Sequence, residues 1–160
     1  MIALVFLVVG KLKETHWIEA VAEYEKRLSK LAKTEWIEIE DQRIPENPSE
    51  KEKLTVLETE GKKILTRIPK DAHVITLEIA GKPMSSPEFA DYLAELATYG
   101  ASKICFVIGG SLGLSSAVKA RSQKALSFSP MTFPHQLARV MLIEQVYRAL
   151  TLMANLPYHK

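Results

Sequence analysis

Residues 103–114 read KICFVIGGSLGL, a short apolar run that ends in a glycine-rich turn. Such a run predicts a strand buried on both faces, and strands of this kind belong to parallel sheets. Two similar runs lie earlier in the chain, IALVFLVV at 2–9 and HVITLEI at 73–79. Segments with helical periodicity separate the runs. The sequence therefore predicts an α/β fold with a mostly parallel sheet and helices on both faces.

The remaining elements follow from periodicity, capping residues and helix breakers. The predicted helices cover residues 17–31, about 50–67, about 115–122 and, starting after Pro134, about 135–154. A further helix, capped by Ser85 or Ser86, is predicted to run to about Tyr99, and two further strands cover 36–40 and about 124–129. Ser49 and Glu52 form a capping-box pattern ahead of the second helix. Gly81-Lys82-Pro83 predicts a loop after the strand at 73–79. No repeat or linker is visible, so residues 1–160 are expected to form one domain.

Composition narrows the class of protein. Hydrophobic residues make up 47% of the chain, so a sizeable core is expected. The formal net charge is only +2, which is low for a protein that coats bare nucleic acid. The single cysteine, Cys105, allows no disulfide within the chain and suits a reducing, cytoplasmic compartment. The apolar segment 2–9 lacks a basic flank and predicts a strand rather than a signal peptide. No stretch predicts a membrane span, so no membrane partner is expected.

Three segments that each follow a predicted strand hold the candidate binding residues, namely 78–83, 109–114 and 126–134. Ligands bind beyond the carboxyl ends of the strands in sheets of this type. Glycines let backbone N–H groups approach a ligand closely, so the loops could hold an adenine or a ribose.

A purely structural interpretation of the same loops stays open at this point. The glycines at 109–113 could merely permit a tight turn, and Phe128, Met131 and Phe133 could be core residues. The pattern is not G-x-G-x-x-G, and no acidic residue ends the strand at 124–129, so a dinucleotide site has weak support.

Longer motifs carry a resemblance to a known family. VITLEIAGKPMSS (74–86), FVIGGSLGL (106–114) and ALSFSPMTFPHQLARVMLIEQVYRA (125–149) resemble the RlmH family of SPOUT-class methyltransferases. GKLKE (10–14), EYEKRL (23–28) and the terminal YHK (158–160) match the same family. The resemblance implies a C-terminal trefoil knot, a homodimer, and methylation of N3 of a pseudouridine in 23S ribosomal RNA with S-adenosylmethionine as the donor.

Site residues follow from the resemblance, position by position. The implied donor-binding residues are Leu77, Gly109, Phe128, Ser129, Pro130, Met131, Thr132 and Phe133. Tyr158 and His159 in the tail are the implied catalytic residues, which are expected to orient the nucleotide or, alternatively, to take its proton. Arg139 and Lys160 are expected to contact RNA phosphates. The tail of one subunit is implied to complete the site of the other.

Other partners are not expected. The four histidines are scattered and no paired-ligand spacing occurs, so no metal is predicted. His135 follows Pro134 and suits capping or packing at least as well as catalysis. The predicted partner is the ribosome with its 23S RNA, and neither DNA nor a membrane. Two rival functions stay open, a nucleotide-dependent oxidoreductase and a non-catalytic ribosome-binding module.

Overall fold

The computed structural model describes residues 1–160 and contains one five-stranded sheet in the order β2-β1-β4-β3-β5. The strands are β1 (Ile2–Val9), β2 (Ala32–Ile39), β3 (His73–Pro83), β4 (Lys103–Ile108) and β5 (Lys124–Ser127). The helices are α1 (Thr15–Leu28), α2 (Glu50–Arg67), α3 (Ser86–Thr98), α4 (Ser116–Arg121) and α5 (His135–Met153). Every strand pair is parallel, which confirms the predicted α/β class.

Helices cover both faces of the sheet, as predicted. Successive side chains of a strand point to opposite faces, so Phe6 and Leu7 of β1 enter different cores. The core around Phe6 also takes Leu142 from α5, together with side chains from α1 and α3. The core around Leu7 takes residues of α2 and α4, including Val118. Two separate apolar layers therefore hold the sheet from either side.

Cys105 lies in β4, the strand between β1 and β3, and its side chain is 0% exposed. Burial raises the pKa of this thiol to about 12, because the thiolate would lose its hydration there. The residue is thus a core thiol, in agreement with its apolar sequence context.

Strand β3 is longer than the sequence predicts. Leu77 and Lys82 both pair with Leu126 of β5, and the register shift between them places residues 78–81 in a bulge. Pairing then resumes, with Pro83 opposite Ser127, so the loop predicted at 81–83 is wrong. Glycine and proline there satisfied local turn rules, whereas the pairing depends on a strand more than 40 residues away.

Element boundaries differ at two places near the amino terminus. Helix α1 begins at Thr15 and ends at Leu28, whereas the periodicity predicted 17–31. Strand β2 begins at Ala32, four residues earlier than predicted, because Ala32 pairs with Ile2 in the parallel ladder. The capping box of Ser49 and Glu52 is confirmed, since the Glu52 N–H donates to Ser49 Oγ at 3.1 Å.

Helix α5 is covered incompletely within one chain. Leu142, Ile143 and Val146 are buried on its inner side. Val140 and Tyr147 are only partly buried, so a strip of apolar surface remains in contact with solvent.

No helix combines the length and apolarity that crossing a bilayer requires. The trefoil knot implied by the resemblance stays a prediction.

Candidate functional site

The loops that follow β3, β4 and β5 converge on a single cavity of about 730 Å³. This volume lies in the range of small-molecule sites. Its wall is formed by residues 77–80, 108–111, 113–114, 126, 128–129 and 131–135, with Lys119 and Ala138. The carboxyl ends of three parallel strands thus supply one site, as strands of such a sheet are expected to do.

Seven of the eight implied donor-binding residues lie in the cavity wall. They are Leu77, Gly109, Phe128, Ser129, Met131, Thr132 and Phe133. Pro130 is exposed and lies outside the wall. Met131 is 70% exposed and Ile79 is 55% exposed, so two large apolar side chains stand open at this site. Such exposed apolar groups beside a cavity are typical of a binding surface.

Side chain–backbone hydrogen bonds fix the loops relative to one another. Ser127 Oγ donates to the carbonyl of Ile79 at 2.9 Å, which ties β5 to the bulge of β3. The Met131 N–H donates to Ser129 Oγ at 3.0 Å within the third loop. Polar contacts of this kind position the loop backbone before a ligand arrives, which lowers the entropic cost of binding.

Gly109 has no room for a side chain. A Cβ atom there would lie 2.4 Å from the carbonyl oxygen of Gly113 and 2.9 Å from Leu114 Cδ2. The loop therefore folds tightly over its own first residue, and the cavity wall at this point is bare backbone.

Two polar residues of the cavity wall lie outside the predicted loops and were not among the predicted binding residues. His135 begins α5 and lies beside Gly10, and Lys119 comes from the last turn of α4. Neither residue lies in one of the three loops that suggested the site. Only the packing of α4 and α5 against these loops brings them to the cavity.

Comparison with known proteins identifies the family. A family model described as "Predicted SPOUT methyltransferase" matches residues 2–159. The chain is 54% identical over 154 residues to a Bacillus pumilus protein named ribosomal RNA large subunit methyltransferase H, covering 96% of this chain and 97% of the relative. The chain belongs to the SPOUT methyltransferase family.

Further relatives agree with this assignment. A Bacillus thuringiensis protein of the same name is 59% identical over 152 residues, covering 95% of this SPOUT methyltransferase and 96% of the relative. These relatives confirm the resemblance to the RlmH family.

Solved structures show the same fold at low sequence identity. A probable methyltransferase from Bordetella pertussis Tohama I gives a TM-score of 0.53 at 14% identity, covering 92% of this chain and 95% of that one. A probable methylase family protein from Haemophilus influenzae Rd KW20 gives 0.52 at 14% identity, covering 99% and 70%.

The tail of this SPOUT methyltransferase lies against its own α5. Tyr158 OH donates to Glu144 Oε1 at 3.1 Å, and the Tyr158 ring packs edge-on against Tyr147 at 4.8 Å. The Arg148 guanidinium lies 4.8 Å from the centre of the Tyr158 ring and pairs with Glu144 at 2.6 Å. The helix ion pair between Glu144 and Arg148 is thus also the anchor of the tail.

His159 accepts a hydrogen bond from Arg148, whose Nη1 lies 3.2 Å from His159 Nδ1. An arginine can only donate, so Nδ1 must be the unprotonated nitrogen and the ring proton lies on Nε2. In this arrangement Nδ1 of His159 is occupied as an acceptor, and its Nε2–H is a hydrogen-bond donor. No group of three or more histidine, cysteine, aspartate or glutamate side chains is arranged to hold a metal ion.

Tyr158 is also held in its protonated form. Burial, followed by the hydrogen bond to Glu144, raises the pKa of its phenol to about 12. The tail lies outside the wall of the 730 Å³ cavity. A second cavity of about 460 Å³ includes Glu144 and shares Leu126 and Phe128 with the 730 Å³ cavity, so the two adjoin at these side chains.

Arg139 does not lie where an RNA phosphate could reach it. Its residue is 3% exposed, and its guanidinium donates to Glu38 at 3.0 Å and to the carbonyl of Gly10 at 3.1 Å. The guanidinium also lies 5.6 Å from the Trp36 ring centre. Arg139 therefore joins α5 to the ends of β1 and β2. Lys160, by contrast, is exposed.

The Arg139→Met variant is expected to lose about 2 kcal/mol of unfolding free energy, because Glu38 and the Gly10 carbonyl lose their buried partner. Urea denaturation measures this, with the exposed Arg67→Met as the matched control. Arg139→Met should leave the salt dependence of RNA binding unchanged once folding is corrected for. A clear fall in that salt slope would instead place Arg139 on a phosphate.

Proposed function

We propose that this SPOUT methyltransferase transfers the methyl group of S-adenosylmethionine to N3 of a pseudouridine in 23S ribosomal RNA. One observation carries the proposal: three strand-end loops, one of them with a bare glycine wall, converge on a cavity large enough for an adenosyl group. The relatives named ribosomal RNA large subunit methyltransferase H support the nucleic-acid class. The pseudouridine specificity comes from the family resemblance.

The cavity suits an adenosyl ligand in shape and chemistry. Leu77, Phe128 and Phe133 supply apolar contact for a flat base. The bare backbone at Gly109 and the hydroxyls of Ser129 and Thr132 supply polar groups without a strong charge. We expect the donor to lie among these residues, with Pro130 shaping the third loop from outside.

S-adenosylmethionine supplies an electrophilic methyl carbon when it is bound. Transfer would break the bond between sulfur and this carbon, leave the electron pair on sulfur, and form a bond from the carbon to N3. The N3 proton must leave to a base. The protein's contribution is to align the two reacting atoms and to exclude water from between them.

Tyr158 and His159 are proposed to orient the target nucleotide. The His159 Nε2–H is a hydrogen-bond donor in this arrangement. The Tyr158 proton, which its raised pKa keeps in place, is donated to Glu144, so the phenol would hold the tail in position rather than donate to the nucleotide. Donors aimed at a uracil carbonyl would also stabilise the anion left on the ring as the proton departs. Lys160 is proposed to contact a phosphate.

The active form is proposed to be a homodimer in which one subunit's tail serves the other subunit's donor cavity. Its support is the incompletely covered α5, on which Leu137, Val140, Met141 and Tyr147 are only partly buried. A helix with apolar side chains on more than one side is normally buried by a second neighbour. A partner subunit would cover that strip.

The substrate is proposed to be a folded ribosomal particle in the cytoplasm. A net charge of +2 provides little attraction for isolated RNA, so shape must supply much of the recognition. Lys11, Lys13, Arg27, Lys30 and Lys33 would form the RNA-facing basic patch if they gather beside the partner's tail. Contacts of this kind are sensitive to salt and indifferent to sequence.

The proposal is tested by incubating the protein with ribosomes from cells that lack it, using a donor with a labelled methyl group. The expected result is one label per large subunit, mapped by mass spectrometry to N3 of a single pseudouridine in 23S RNA. Isolated 23S RNA serves as the comparison and should accept little label.

Two outcomes would replace the proposal. Binding of NAD in place of S-adenosylhomocysteine in calorimetry would indicate an oxidoreductase. Co-sedimentation with ribosomes without any labelled RNA would indicate a binding module that performs no chemistry.

A further inference from the structure

The donor cavity contains a matched pair of opposite charges. Its wall contains one acidic residue, Glu78, and one lysine, Lys119. Lys119 Nζ lies 3.8 Å from Glu78 Oε1. We propose that this pair binds the α-amino-acid end of the methyl donor, with Glu78 accepting from the ammonium and Lys119 donating to the carboxylate. The inference rests on the proposed function, namely that S-adenosylmethionine binds in this cavity.

Glu78 is held in a fixed position by the strand before it. It is the first residue of the bulge at 78–81, where β3 leaves its ladder with β5. The hydroxyl of Thr76, which is 0% exposed, donates to Glu78 Oε2 at 2.6 Å. The Glu78 side chain is 16% exposed, so one carboxylate oxygen is anchored and the other faces Lys119 and the cavity.

Lys119 is less constrained than its partner. Its side chain is 52% exposed, and the 3.8 Å separation is longer than a hydrogen bond between nitrogen and oxygen, which is about 2.7–3.2 Å. An ion pair whose lysine is half exposed and whose charged atoms are this far apart contributes little to folding stability. Ligand groups can therefore insert between the two side chains without breaking a hydrogen bond.

The charges of the pair match an amino-acid group better than the other parts of a nucleoside ligand. An α-amino acid carries an ammonium and a carboxylate on one carbon, and it needs an acid and a base side by side. A ribose diol is neutral and needs no cation. A phosphate would be repelled by Glu78. The pair thus favours an adenosyl amino acid over a phosphorylated nucleotide.

Calorimetry with two ligands tests this inference. S-adenosylhomocysteine contains the amino-acid end, and 5′-methylthioadenosine lacks it while keeping the adenine, ribose and sulfur. Glu78→Gln and Lys119→Met are each expected to weaken S-adenosylhomocysteine binding by about tenfold or more, the effect of losing a charged hydrogen bond. Binding of 5′-methylthioadenosine should change by less than about twofold. Glu58→Gln and Lys62→Met, on the exposed side of α2, are the matched controls.

The outcomes separate the inference from the function on which it rests. Unchanged S-adenosylhomocysteine affinity in both variants, or equal losses for both ligands, would overturn the role of the pair while leaving the cavity as the donor site. A wild-type protein that binds neither ligand would overturn the proposed donor site, and the inference with it. Retained binding of 5′-methylthioadenosine also shows that each variant has folded.

Discussion

The Gly109→Val variant is expected to lose at least about a hundredfold in affinity for S-adenosylhomocysteine. Its Cβ would lie 2.4 Å from the Gly113 carbonyl oxygen and 2.8 Å from the carbonyl carbon, and both are backbone atoms. Relief therefore requires moving the loop from Gly109 to Gly113, which forms part of the cavity wall. Calorimetric titration measures the loss.

A second glycine provides the control for this variant. Gly100 has a φ of 93°, no atom lies within 4 Å of the position that a Cβ would occupy there, and the residue lies outside the cavity. Gly100→Ala should cost about 1 kcal/mol of stability through backbone strain and leave ligand affinity unchanged. Normal ligand affinity in a folded Gly109→Val protein would remove the glycine loop from the donor site.

The His159→Ala variant is expected to lower turnover about a hundredfold while ligand affinity and thermal stability stay near the wild-type values. His159 lies next to the end of the chain, and its hydrogen bond is to Arg148 rather than to the donor cavity. Methyl transfer to ribosomes under single-turnover conditions measures the effect. The exposed His16→Ala is the matched control.

Tyr158→Phe separates orientation from proton transfer in the tail. This change keeps the ring against Tyr147 and removes the hydroxyl that donates to Glu144. Because the pKa of Tyr158 is raised to about 12, its phenol stays protonated from neutral pH well into the alkaline range. The pH–rate profile of the variant should therefore parallel that of the wild type below about pH 10. If the variant lost an alkaline limb that the wild-type profile shows, Tyr158 would be the base.

Full turnover in the His159→Ala variant would contradict the proposed role of the tail.

The sheet could be predicted from the sequence because its central strands are continuous apolar runs. β1 and β4 coincide with the predicted strands at 2–9 and 103–108. Both are buried on two faces, so nothing in their environment opposes the local preference. Local signals failed in β3, where glycine and proline indicate a turn but the partner strand restores pairing beyond the bulge.

The sequence indicates which residues lie at the cavity where those residues follow a strand directly. Gly109 and Phe128 come immediately after β4 and β5, so the topology alone brings them to one edge of the sheet. Arg139 shows the limit of this reasoning. A conspicuous arginine on a helix suggests a surface cation, but its partner Glu38 lies 101 residues away in the sequence, and only the packed structure shows that it is buried.

Because its single cysteine, Cys105, is buried, the native protein is not expected to react with thiol-directed dyes. A maleimide needs an accessible thiolate, and this side chain, with a pKa of about 12 and 0% exposure, provides neither access nor ionisation. A fluorophore would therefore attach only at an introduced cysteine, for example in a Lys160→Cys variant. Cys105 would not have to be replaced, so no cavity would be created in the core beside the sheet. Energy transfer from such a labelled tail would report directly whether it rests on its own helix or reaches across to another subunit.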